Sequence, residues 1–65
     1  MRIGDLVKFH TTNYHLFEEG QKGQSYYLVQ KGEVGILIEL LSLDGCRVLQ
    51  SGKILLTTTH YLSQE

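Results

Sequence analysis

Apolar and polar residues alternate along several short stretches of this chain, and glycine-containing turns separate those stretches. Residues 5–10 (DLVKFH) put Val7 and Phe9 on one side of the chain, with the two-residue period of a β-strand. Residues 25–30 (SYYLVQ) are rich in aromatic and β-branched residues, as strands commonly are. The sequence therefore predicts a strand at each position.

Residues 33–43 (EVGILIELLSL) follow a Lys-Gly turn dipeptide, so we expect them to pair with residues 25–30 as a hairpin. As a strand, this segment has four apolar residues on one face. They are Val34, Ile36, Ile38 and Leu40. A helix is the rival interpretation, because the apolar residues of the segment also fit a helical spacing. Gly35, which would allow a bend or a bulge, favours the strand.

The most specific local signal is Asp44-Gly45, because this dipeptide tolerates the positive φ angles of a type I′ hairpin turn. We expect the turn to span residues 43–46. Residues 46–50 then pair back, and Ser51-Gly52 offers a second tight turn before a strand over residues 53–59. Two tight hairpins in succession predict a meander.

The two remaining segments are expected to be irregular. Residues 11–24 (TTNYHLFEEGQKGQ) show no sustained period, and their asparagine and glycines favour turns. We predict a long loop there, which is the first place to look for function because long loops in compact domains are often functional. Residues 60–65 are too short for a stable helix and predict a single 3₁₀ turn, with Tyr61 and Leu62 closing one end of the fold.

Together these elements predict one all-β domain over residues 1–65, with five short strands, and the arrangement resembles a small SH3-like barrel. Four segments are similar to short proteins encoded by tailed bacteriophages. They are GDLV at residues 4–7, GEVGILIE at 32–39, RVLQSGK at 47–53 and the terminal Tyr61-Leu62. Those proteins tend to have tryptophan in the third strand, where this chain has Gln50. The resemblance implies a phage-encoded barrel and lowers the expectation of an enzyme; members serve as particle components, host-takeover factors or nucleic-acid-associated modules.

Composition changes this picture little. Six basic and seven acidic residues give a net charge of −1 without a long block of either sign, so no strong electrostatic partner is implied. Cys46 is the single cysteine and has no intrachain disulfide partner. The N-terminal residues lack the pattern of a signal peptide, and we expect a protein of the host cytoplasm or of an assembled virion, without a membrane partner.

Candidate catalytic and metal-binding residues are scattered. The possible zinc ligands are His10, His15, Cys46 and His60. Structural zinc sites need four closely organised ligands, which this spacing does not provide. Cys46 with a histidine is a conceivable nucleophilic pair, and Gly20 and Gly23 around Lys22 a conceivable phosphate loop, but no further residues support either. We therefore expect no catalytic residue, no metal and no cofactor.

Nucleic-acid binding by a KOW-like or SH3-like module is the main alternative function, because basic residues accompany exposed aromatic ones. The basic residues are Arg2, Lys8, Lys22, Lys31, Arg47 and Lys53. The near-neutral charge weighs against this alternative, since phosphate contacts dominate such affinity. Recognition of proline-rich peptides is less favoured still, because the chain lacks the tryptophan that such grooves normally include.

The sequence favours a non-enzymatic protein-binding or structural module that contacts another protein or a second copy of itself. A minimal barrel without a disulfide or metal gains stability by burying aromatic side chains against another chain. The predicted contact residues are Tyr14, Phe17, Tyr26, Tyr27 and Tyr61.

Overall fold

The computed structural model describes residues 1–18 and 23–65, and within them the chain is almost entirely β-structure. The strands are β1 (Leu6–Phe9), β2 (Asn13–Glu18), β3 (Gln24–Val29), β4 (Val34–Leu40), β5 (Gly45–Gln50), β6 (Lys53–Thr58) and β7 (Leu62–Gln64). A 3₁₀ turn at Thr59–Tyr61 lies between β6 and β7. The all-β prediction is confirmed, and the helical alternative for residues 33–43 is wrong.

The described strands form one antiparallel sheet in the order β3-β2-β6-β5-β4-β1-β7, with β3 and β7 at its edges. Strands β4, β5 and β6 follow one another as a meander, as the two predicted tight turns require. In the residues that the structure describes, no helix has the length and apolar character needed to cross a membrane.

The expected strand count of five is wrong, because the described chain has seven strands. Strand β2 lies within the predicted loop of residues 11–24 and pairs with β3 along six residues. Strand β4 lies between β5 and β1 in the sheet and does not pair with β3, so the predicted hairpin between β3 and β4 is wrong as well. Glu19, Gly20, Gln21 and Lys22 lie outside the described residues, and so does most of the conceivable phosphate loop.

The turn between β4 and β5 begins one residue earlier than the Asp-Gly signal predicts. The backbone N–H of Gly45 donates to the carbonyl of Ser42 at 3.2 Å, so the central residues are Leu43 and Asp44. Both have positive φ angles, 58° and 64°, as a type I′ turn requires. The turn type is as predicted, but a leucine occupies a left-handed position that favours asparagine or glycine. Ser51-Gly52 forms the second tight turn, also with two positive φ angles.

One face of the sheet forms the core. Its buried apolar residues are Val7, Phe9, Val29, Leu37, Cys46, Val48, Leu55 and Leu62. Strand β4 contributes Leu37 to this core, so the predicted apolar face of Val34 and Ile36 points outward instead. A register irregularity lies between Leu37 and Glu39. The bulge that sequence placed at Gly35 therefore falls about three residues later.

The sheet curls until distant strands touch. Strands β1 and β2 are four positions apart in the sheet order, yet the rings of Phe9 and His15 lie 5.0 Å apart. Backbone contacts join the same region: the N–H of Gly32 donates to the carbonyl of Phe9 at 2.8 Å, and the N–H of His10 to that of Tyr61 at 3.0 Å. A single open sheet thus curls over its own core.

Gly35 permits a close approach within this curl. A Cβ atom at Gly35 would lie 2.6 Å from Val48 Cγ1 and 2.8 Å from the Leu49 carbonyl oxygen. We predict that Gly35→Ala destabilises the fold by about 1–3 kcal/mol, the usual cost of overpacking a core. Urea denaturation measures the change. Gly45→Ala is the matched control, because its Cβ would meet no atom closer than 3.4 Å; equal stability of both variants would refute the close-approach argument.

Leu43 should be replaceable with a gain in stability. Its side chain is 96% exposed and its φ is positive, so the fold gains no packing from it and tolerates an unfavourable backbone conformation. We predict that Leu43→Asn raises the free energy of unfolding by about 0.5–1 kcal/mol, because asparagine tolerates the left-handed region. Leu43→Ala keeps the unfavourable backbone and should change little. An equal gain from alanine in the same urea titration would contradict this explanation.

Candidate contact surface

The β2–β3 hairpin displays an aromatic patch on the side away from the core. Tyr14 lies opposite Leu28, and Leu16 lies opposite Tyr26. Directly opposed residues on an antiparallel pair share a face, so these side chains point together. Tyr14 is 67% exposed and Tyr26 is 73% exposed. We call Tyr14, Tyr26 and Leu28 the hairpin patch.

Phe17 and Tyr27 lie on the other face of the same hairpin. Both are half-buried against the core, at alternate positions to the hairpin patch. Lys53 Nζ lies 4.8 Å from the Tyr27 ring centroid and 5.9 Å from that of Phe17, where the ammonium is attracted by the ring faces. The structure therefore separates these two predicted contact residues from Tyr14 and Tyr26.

Tyr61 belongs to neither group. It lies in the 3₁₀ turn, and its ring meets that of His15 edge-on at 5.7 Å. Leu62, the next residue, lies in the core. Tyr61 is itself 37% exposed, and its predicted role, with Leu62, in closing one end of the fold stays a prediction.

A second set of exposed apolar residues was not predicted as a site. Leu6, Ile36, Leu49 and Ile54 lie in direct register across β1, β4, β5 and β6, and all four are exposed. We call these four residues the outer row. One feature of the sequence could have indicated this site. Successive apolar residues such as Leu6 and Val7 put apolar side chains on both faces of a strand, whereas a strand with one solvated face usually has polar residues on that face.

The outer row and the hairpin patch share one surface, which we call the outer face. Leu56 is two residues after Ile54 on β6, so both point the same way. Leu56 lies opposite Leu16 on β2, and Leu16 lies opposite Tyr26. The half-buried Leu16 and Leu56 thus join the two exposed apolar sets, and Arg47 lies on the same face opposite Leu56.

Most basic side chains near this surface already have acidic or aromatic partners. Arg47 donates to Glu18 Oε1 at 3.0 Å and to Glu39 Oε1 at 2.6 Å, and these hydrogen bonds raise the pKa of its guanidinium. Lys8 Nζ lies 3.5 Å from Glu65 Oε2. Lys22 lies outside the described residues. The predicted cations therefore do not form one free basic face among the described residues.

The candidate zinc ligands do not come together. His10 and His60 are exposed, whereas His15 and Cys46 are buried. The described chain contains no group of three or more histidine, cysteine or acidic residues that could hold a metal ion. Cys46 packs in the core, as predicted, and its burial raises the pKa of the thiol. A raised pKa disfavours the thiolate that a nucleophile needs.

Gln50 is the last residue of β5. Its side chain is buried, and its Nε2 donates to Glu33 Oε1 at 2.6 Å. The other oxygen of Glu33 accepts the backbone N–H of Gln30 at 2.7 Å. Gln50 therefore connects the end of β5 to the turn between β3 and β4 through Glu33.

Comparison with protein-family models, with curated proteins and with solved structures found no match. The surface formed by the described residues has no detectable pocket. The functional argument therefore depends on the side chains themselves.

His15 on β2 is a buried ionisable residue whose ring contacts that of Phe9 on β1. It is 3% exposed, and its Nε2 has no hydrogen-bond partner among the described residues. Thr57 Oγ1 on the neighbouring strand β6 is also buried and has no hydrogen-bond partner among the described residues. Leu16 lies opposite Leu56, so His15 and Thr57 occupy adjacent positions on the two strands. Burial lowers the pKa of His15 from its ordinary value of 6.5, because an imidazolium there would lose its hydration.

We predict that His15 makes the fold less stable in mild acid. The unfolded chain binds a proton at His15 near pH 6.5 while the folded chain does not, so the free energy of unfolding decreases as the pH falls below about 6.5. Urea denaturation between pH 7.5 and pH 5, values chosen to bracket that pKa, measures this decrease. His15→Phe should flatten the dependence. An unchanged slope in that variant would contradict the assignment to His15.

Proposed function

We propose that this chain is a non-enzymatic protein-binding or structural module and that the outer face is its contact surface. One observation carries the proposal. The sheet already buries one face in its own core, yet its other face has the exposed apolar residues of the outer row and the hairpin patch. Contiguous exposed apolar surface on a small domain marks an interaction site.

The composition of this surface fits a protein partner. Exposed tyrosines provide large contact area with few rotatable bonds, and tyrosine is enriched at the centres of protein interfaces. Charged residues are depleted at such centres, and the outer row contains none. Arg47 lies opposite Leu56 within the outer face, where its hydrogen bonds to Glu18 and Glu39 pair its charge.

The nucleic-acid alternative has less support. Strong binding to a phosphate backbone requires several cations on one face. Arg47 and Lys8 lie in ion pairs, and Lys53 faces the rings of Phe17 and Tyr27. These contacts leave the outer face close to neutral, which favours an apolar partner surface.

The resemblance to short phage proteins supports the same class of function. We propose that the curled sheet is an SH3-like barrel of that type, in a phage-encoded particle component or adaptor. The contact between Phe9 and His15, the β4-β5-β6 meander and the final 3₁₀ turn support this interpretation. Such barrels serve many functions, so the fold alone does not name the partner.

Site-directed variants test the contact surface. Tyr14→Ser in the hairpin patch and Ile36→Thr in the outer row should each reduce binding of a partner by about tenfold or more, because buried anchors dominate interface energy. The measurement is quantitative affinity capture from cells that contain the partner. Leu43→Ser is the matched control, since Leu43 is more exposed than either but lies at a turn away from the outer face.

The competing outcomes are distinct. Two results would refute the outer face as the contact surface. One is an equal loss of partner binding in Leu43→Ser. The other is unchanged partner binding in both outer-face variants when their melting temperatures are also unchanged. Binding of duplex DNA or single-stranded RNA at physiological salt, lost when Lys31 and Lys53 are changed to Glu, would favour the nucleic-acid function instead.

A further inference from the structure

The β2–β3 hairpin is joined to the rest of the described sheet by a short strand pairing. It lies at one end of the strand order, where β2 pairs with β6 at two residues, Leu16 and Phe17. By contrast, β2 pairs with β3, and β5 with β6, along six residues. Among the described residues, Val29 is the one fully buried apolar residue that the hairpin contributes to the core, whereas Phe17 and Tyr27 are half-buried. An element with so few buried contacts opens at a lower free energy than the whole fold.

Hydrogen bonds hold the base of the hairpin, where the chain enters β2 and leaves β3. The backbone N–H of Lys31 donates to Thr12 Oγ1 at 2.9 Å. The N–H of Gly32 donates to the carbonyl of Phe9 at 2.8 Å, and the N–H of Phe9 donates to the carbonyl of Glu33 at 2.9 Å. None of these bonds involves the pairing of β2 with β6. The hairpin can therefore separate from β6 as a unit while its base stays in place.

His15 lies in the contact that such a movement would break. Its ring contacts those of Phe9 on β1 and Tyr61 in the 3₁₀ turn. On the β6 side it is next to Thr57, and His15 Nε2 and Thr57 Oγ1 are both buried without a hydrogen-bond partner among the described residues. Each of these contacts joins the hairpin to another element. Opening the hairpin would thus expose the imidazole to water, where both nitrogens can be hydrated.

We infer that the β2–β3 hairpin is an acid-sensitive flap, which protonation of His15 shifts from its closed position to an open one while the β4-β5-β6 meander stays folded. In the closed position, burial disfavours the imidazolium and lowers the pKa of His15. In the open position, the imidazole binds a proton near its ordinary pKa of 6.5. The open state therefore binds more protons, and its population increases as the pH falls.

The groups around His15 leave histidine as the residue that responds to mild acid. Tyr27 lies opposite His15 on β3, and Cys46 on β5 lies opposite Thr57. The nearest charged group on that side is the Lys53 ammonium, which faces the Tyr27 ring. Tyrosine, cysteine and lysine side chains change charge only in alkaline solution. Burial is the cause of the lowered pKa of His15, with no contribution from a carboxylate.

The flap would also regulate the outer face. Leu16 and Leu56 join the hairpin patch to the outer row, and they part when β2 separates from β6. Mild acid should therefore weaken binding of a partner that contacts both sets. This consequence rests on the proposed function, whereas the opening of the flap does not.

Native-state hydrogen exchange of the isolated chain tests the flap. Protection factors of individual amides, which correct for the intrinsic pH dependence of exchange, are measured in low concentrations of urea at about pH 7 and pH 5, values that bracket the ordinary pKa of histidine. Amides of β2 should be at least about tenfold less protected than those of β5 at both pH values, and less sensitive to urea, because opening the flap exposes less surface than global unfolding. Between the two pH values, the β2 amides should lose about tenfold in protection.

The urea dependence is needed because global unfolding exposes His15 as well, so acid alone does not distinguish the two events. His15→Phe should remove the pH dependence of the β2 amides, and His15→Leu repeats the test with a smaller side chain. His60→Gln is the matched control, since His60 is an exposed histidine of the 3₁₀ turn, and it should behave as the wild type.

Two results would overturn the flap. One is equal protection and equal urea dependence of the β2 and β5 amides, which would mean that the hairpin opens only when the whole chain unfolds. The other is an unchanged pH dependence of the β2 amides in both His15 variants. No partner is present in this experiment, so its outcome is independent of whether the outer face is a contact surface.

Discussion

The structure depends on one constraint: a single sheet, with no α-helix in the described chain to cover it, has to bury its own inner face. The sheet meets this constraint by curling until Phe9 on β1 touches His15 on β2. A curl this tight needs a place where strands approach closely, which Gly35 provides beside Val48. It also needs an irregular register, found between Leu37 and Glu39, because bulges increase local twist and bending.

The same constraint accounts for the outer face. A chain of 65 residues forms only a small core, so few side chains of each strand point into it. The strands β1, β4, β5 and β6 have apolar residues on both faces, and only one face of each contributes to the core. Leu6, Ile36, Leu49 and Ile54 consequently remain outside, aligned across four strands by the register that buries Val7, Leu37, Val48 and Leu55.

Sequence reasoning identified the parts of the fold that local chemistry determines. The first strand, expected over residues 5–10 and found at Leu6–Phe9, and the placement of Val7 and Phe9 on one side of it followed from alternation. The two tight turns followed from glycine with a polar neighbour. Strand β2 was missed because Tyr14, Leu16 and Phe17 put large apolar side chains on both faces, which removes the alternating pattern. Its long-range partners are on β3 and β6, and no local signal predicts such pairing.

The candidate site was predictable in kind and less so in place. Aromatic residues were expected to form the contact surface, and Tyr14 and Tyr26 are well exposed. Phe17 and Tyr27 face the core because each is one residue away from an outward position, a distinction that depends on strand register. The outer row needed the complete sheet order, since its four members come from distant parts of the sequence.

The measurement that tests this account most directly is the nuclear Overhauser effect between the rings of His15, Phe9 and Tyr61. The His15 ring centroid lies 5.0 Å from that of Phe9 and 5.7 Å from that of Tyr61. In the sheet order, three strands lie between β2, which contains His15, and β1, which contains Phe9. The account predicts cross-peaks from His15 to both Phe9 and Tyr61. Their absence, with cross-peaks between adjacent strands intact, would mean a sheet that does not close on its core and would contradict the distinction between inner and outer faces.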